Sequence, residues 1–167
     1  WLDRVLAENI TIFYKNIKIN KNKLKYKKIK IKKYSFQNLN KKNLNYLKPI
    51  KQLQLTINKK LKNYLVDFLI HGSIATKDFS IGWSDLDTYI IIKSDVISKP
   101  NKLLKFKKQI NLLQKFLYKI DPLQHHGFIF CVENYLEQYQ SFMLPLNVLK
   151  ESRSLINSNV MYIREQE

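Results

Sequence analysis

The fold turns on Val66-Asp67-Phe68-Leu69-Ile70-His71-Gly72-Ser73 and, after eleven intervening residues, Asp85-Leu86-Asp87-Thr88-Tyr89-Ile90-Ile91-Ile92. An apolar run delivers a Gly-Ser turn, and a short connection leads to two carboxylates that open a second apolar run. Side chains alternate along extended chain, so Asp85 and Asp87 project from the same face. Two carboxylates a few Å apart repel each other and raise one another's pKa unless a cation sits between them. Oxygen-only ligation with open positions suits Mg²⁺ (or Mn²⁺), which keeps several waters and bridges to substrate phosphates. Gly72 permits close backbone approach and Ser73 adds a hydroxyl where phosphate oxygens could lie. Together these parts describe a site for a metal-bound nucleoside triphosphate.

Working outward, residues 65–71 and Leu86–Ile92 are apolar on both faces and are expected as buried central strands. The connection should begin with a helical turn over Ile74–Lys77, whose start at Ser73 would aim free N–H groups at phosphate. Lys77 is either a phosphate ligand or a solvated lysine. Trp83, beside the carboxylates, is expected against a base or ribose, or in a core or lid role. Residues 101–120 carry a stripe of Leu103, Phe106, Ile110, Leu113, Leu117 and Ile120 at helical spacing, which is core packing. Asn101 can cap this helix and Pro122 stops it. A third strand is expected at Gly127–Val132, a helical region from Asn134 to Met143, and a last helix over Leu146–Ile156.

Upstream, residues 1–14 have helical spacing, and 38–61 read as helix interrupted near Pro49. Residues 15–34 alternate in pieces with lysine between them, as an exposed hairpin or an arm. The fold class is therefore α/β: a small mixed sheet flanked by helices, with a basic N-terminal extension. Residues 1–63 are expected as a basic, largely helical region, and 64–167 as the core, incomplete at its C-terminal end. Trp1 stands where a start methionine would be, which suggests a trimmed chain.

Charge is concentrated. Of 30 basic residues in the 167, 17 are lysines between Lys15 and Lys62, leaving 13 against 13 acidic residues, so that one stretch carries the net +17. Interleaved with Tyr26, Tyr34, Phe36 and Tyr46, it can attract a nucleic-acid backbone and stack bases. The alternative is an AT-rich genome, which inflates lysine without selecting for a partner. Cys131 is the single cysteine, so an intramolecular disulfide is excluded. No apolar run has the length of a membrane span, and no membrane partner is expected. A reducing, cytoplasmic setting fits.

Gly72, Ser73, Asp85 and Asp87, with Ser84 just before the pair, resemble the signature of the nucleotidyltransferase superfamily that includes DNA polymerase beta. The resemblance covers residues 64–93. It implies metal-dependent transfer of a nucleoside monophosphate from NTP to a hydroxyl acceptor, with pyrophosphate leaving. Asp85 and Asp87 would hold the metal, while Gly72 and Ser73, with Ser84 and Lys77, would bind the nucleotide. A third acidic residue normally stands on a later strand, yet Gly127–Val132 contains no carboxylate. His126, at the entrance of that strand, can substitute as metal ligand or base; alternatively the His125–His126 pair caps the strand. The second reading is a degenerate, non-catalytic module that keeps the fold and binds NTP, nucleic acid or a protein partner.

Overall fold

In the computed structural model, residues 2–16, 26–122, 127–139 and 144–164 are described. The chain begins with α1 (Leu2–Asn16), β1 (Lys27–Lys33), α2 (Lys41–Tyr46) and α3 (Lys48–Lys60). The signature follows as β2 (Leu65–Ile70), α4 (Gly72–Thr76) and β3 (Thr88–Ile92). Next come α5 (Ser94–Ile97), α6 (Pro100–Asn111), α7 (Gln114–Ile120) and β4 (Ile129–Val132). A 3₁₀ turn (Glu133–Gln138), α8 (Leu146–Glu151), β5 (Arg153–Ser154) and β6 (Asn159–Ile163) complete it.

The strands form one mixed sheet in the order β4-β3-β2-β5-β1-β6. The β3–β4 and β1–β5 pairs are parallel and the other pairs antiparallel. Every residue of β3 is buried, and all of β2 but Val66, as expected of strands covered on both faces. On one face, Phe68, Ile70 and Ile90 pack with Ile50, Leu53 and Ile57 of α3 and with Phe106 and Leu117. On the other, Leu69, Tyr89 and Ile91 pack with Ile29, Ile31, Leu149 and Met161. None of the helices among the described residues is long and apolar enough to cross a membrane.

Four expectations change. The alternating lysine stretch is neither a hairpin nor a free arm where it is described. Its residues 27–33 form β1, which lies between β5 and β6 and buries Ile29 and Ile31. Ile50, Leu53 and Ile57 of α3 share one core with Phe68 and Ile70 of β2. The single helix over 101–120 is two, α6 and α7, and α6 begins at Pro100 after Lys99, so Asn101 lies inside it rather than capping it. The break lets α6 pack on α1 and α5 while α7 packs on α3. The last helix stops at Glu151, and the chain after it returns to the sheet as β5 and β6. Trp83 is 88% exposed, which removes it from the core.

Candidate metal and nucleotide site

The two halves of the signature meet at one end of β2 and β3. Their ladder pairs Ile70 with Thr88, and one step further the His71 N–H donates to the Asp87 carbonyl at 3.1 Å. His71 and Asp87 are therefore cross-strand neighbours. Gly72 follows with φ +66°, and a Cβ built on it would lie 2.8 Å from Asp87 Oδ2. Both facts demand glycine, because an L side chain disfavours that φ and would displace the carboxylate. Asp85 and Asp87, just before β3, are half-buried on either side of buried Leu86. Two half-buried oxygen donors of this kind fit a hard divalent cation that retains water.

Of the other expected nucleotide ligands, the side chains of Ser84 and Lys77 are engaged within the protein. Ser73 lies in the first turn of α4, where its carbonyl accepts from the Lys77 and Asp78 N–H groups. The Ser84 hydroxyl accepts from the Ser80 N–H at 2.8 Å, closing the turn that leads to Asp85. Lys77 takes a left-handed φ of 72° at the end of α4, and its ammonium donates to the Gln37 carbonyl at 3.0 Å. This lysine ties the segment after β1 to the signature loop.

His126, with His125, lies outside the described residues. The strand expected to bring a third ligand is β4, whose ladder with β3 runs from Tyr89↔Ile129 to Ile92↔Val132. Its residues Ile129, Phe130, Cys131 and Val132 bring no carboxylate. Among the described residues, no three His, Cys, Asp or Glu side chains group so as to hold a metal ion.

Two residues, His71 and Tyr46, join the site that the motif does not announce. The His71 ring nitrogen Nε2 is buried without a hydrogen-bond partner. Burial holds its pKa below the ordinary value of 6.5, opposed by the negative charge of Asp87. Tyr46 donates its hydroxyl to the Ser84 carbonyl at 3.1 Å and stacks on Phe79, with ring centroids 5.6 Å apart. Burial raises the Tyr46 pKa, and the negative charges of Asp121 and Asp85 raise it further. His71 was open to notice as the residue before the Gly-Ser turn. Nothing local marks Tyr46, because it arrives from a distant helix.

Compared with family models, with curated proteins and with solved structures, the chain matches none.

Proposed function

We propose that this chain is a metal-dependent nucleotidyltransferase, moving a nucleoside monophosphate from NTP to a hydroxyl acceptor with release of pyrophosphate. The observation that carries the reading is the contact of Gly72 with the Asp87 carboxylate, held by the His71–Asp87 backbone hydrogen bond. It joins a turn suited to phosphate with a pair of carboxylates suited to Mg²⁺. Asp85 and Asp87 would hold the ion, which when bound would supply charge neutralisation for the triphosphate and favour a deprotonated acceptor. Gly72 leaves room for the outgoing phosphates, and Ser73 offers them a hydroxyl. His71, neutral near pH 7, backs Asp87 without adding positive charge. NTP is the substrate, and a reducing, cytoplasmic compartment suits the lone Cys131, whose thiol burial pushes up to about 12.

A second reading, a non-catalytic module that binds NTP or a partner, is favoured by the apolar residues of β4 beside β3. One experiment separates the two. The protein is incubated with each labelled NTP, with Mg²⁺ or Mn²⁺, and with RNA, protein and small-molecule acceptors. Labelled product that disappears in the Asp85→Asn/Asp87→Asn double variant supports the enzyme. Metal-dependent NTP binding with no product supports the module. Equal NTP affinity with and without metal in the unchanged protein counts against the Asp85–Asp87 metal site and with it the transferase.

A further inference from the structure

The β1–β6 ribbon has an open face that the candidate site does not use. In β1 the residues Lys28, Lys30 and Lys32 are exposed, while Ile29 and Ile31 between them are buried. Directly opposed pairs in an antiparallel ladder share a face. Here Lys28 stands opposite Tyr162, and Lys30 opposite Val160. Tyr162 is 56% exposed and Val160 41%, and Tyr26, just before the strand, is 44% exposed. Lysine-rich composition by itself supplies charge anywhere on a surface. It does not set ammonium groups beside exposed tyrosine rings on one face of a sheet.

We propose that this open face of the β1–β6 ribbon binds single-stranded nucleic acid, with Lys28, Lys30 and Lys32 on phosphates and Tyr162 stacking on a base. Single strands are favoured because a flat sheet face with exposed aromatic rings needs unpaired bases to stack on it. The lysines supply charge complementarity to the backbone and make the binding depend on salt.

The sheet also gives the ribbon a direction. Lys32 pairs with Arg153, Arg153 with Ile70, and Ile70 with Thr88, so these residues stand in one row across four strands. Lys32 is two strand spacings, about 10 Å, from Ile70. Because β1 runs parallel to β5, which is antiparallel to β2, stepping back from Lys32 to Lys28 follows β2 onward toward His71 and Gly72. A strand on this face thus runs beside the signature end of the sheet. That its end serves as the acceptor hydroxyl rests on the transferase reading above; the binding does not.

The test measures fluorescence anisotropy of labelled single-stranded RNA and DNA of about 15 nucleotides with the full chain over a salt series. The Lys28→Gln/Lys30→Gln/Lys32→Gln variant should bind about tenfold or more weakly, with its log–log salt slope reduced by about 2. Tyr162→Ala should lose about five- to hundredfold with the slope retained. A charge-matched control, Lys105→Gln/Lys108→Gln/Lys119→Gln on α6 and α7, should leave affinity unchanged. Equal losses from the two triple variants would overturn the proposal, as would an unaffected Tyr162→Ala. So would lysine-dependent binding to vesicles containing phosphatidylserine with no oligonucleotide binding. Asp85→Asn/Asp87→Asn should bind oligonucleotide normally, so failure of the ribbon and failure of the NTP site are read separately.

Discussion

Gly72 is the residue on which the site depends most directly. Its left-handed conformation costs an alanine about 1–2 kcal/mol, and the added methyl would meet the Asp87 carboxylate at 2.8 Å. Gly72→Ala should therefore lower the urea midpoint and weaken Mg²⁺-dependent NTP binding together; retention of both would mean the contact has no role. Asp67 permits a separate test. It is fully buried in β2, where its carboxylate accepts from Ser154 Oγ, Asn159 Nδ2 and the Phe68 N–H. Burial still prevails over these bonds and raises its pKa to about 6. A raised folded pKa means that the unfolded chain ionises first, so stability is present below about pH 4 and is lost as pH rises through about 6. A shift of about two pKa units corresponds to ~3 kcal/mol. His71 has the opposite sign, since its lowered pKa removes stability as pH falls below 6.5. Asp67→Asn isolates the first effect. The Asn159 Oδ1, buried without a partner, can accept from the new amide once the Asn159 side chain turns over. Denaturation curves should show the variant at least as stable as the parent at pH 7 and without the decline between pH 4 and 6. A less stable variant that keeps the decline would assign that slope to other groups.

At the scale of elements, what could be read from the chain was what local chemistry determines. Both signature strands were legible because their largely apolar runs are bounded, the first by Gly72 at its end and the second by Asp87 at its start. The interruption near Pro49 was legible too, as α2 ends at Tyr46 and α3 starts at Lys48 with the proline in its first turn. The break between α6 and α7 was not. Phe106, Ile110, Leu113, Leu117 and Ile120 are all buried and keep helical spacing straight through it, so periodicity reports one helix where tertiary packing makes two. β5 is only two residues long, too short for any period, and exists because its neighbours β1 and β2 pair with it. In the site, the Gly72–Asp87 meeting was foreseeable from the motif. The approach of Tyr46 was not, since it depends on where a separate helix ends.

At the scale of the molecule, the basic stretch is structural before it is anything else. Viewed as an appendage, residues 15–36 could be deleted without harm to the later strands. Placed in the sheet, β1 is the only described strand that links β5 to β6, and Ile29 and Ile31 are 3% and 1% exposed in the core shared with Leu69, Tyr89 and Ile91. Truncating one such isoleucine to alanine costs ~2–5 kcal/mol, against a total of ~5–15 kcal/mol for a domain of ordinary stability. Ile31→Ala should therefore shift the urea midpoint strongly, and deletion of residues 27–33 should abolish cooperative unfolding. Lys28→Gln/Lys30→Gln/Lys32→Gln, which alters only the exposed face of the same strand, should leave the midpoint unchanged or raise it slightly, because it relieves self-repulsion in a chain of net charge +17. Opposite effects from adjacent residues of one strand would show that its two faces have separate tasks. If the lysine variant instead melted as early as Ile31→Ala, those side chains would be packing against the fold and unavailable to any ligand.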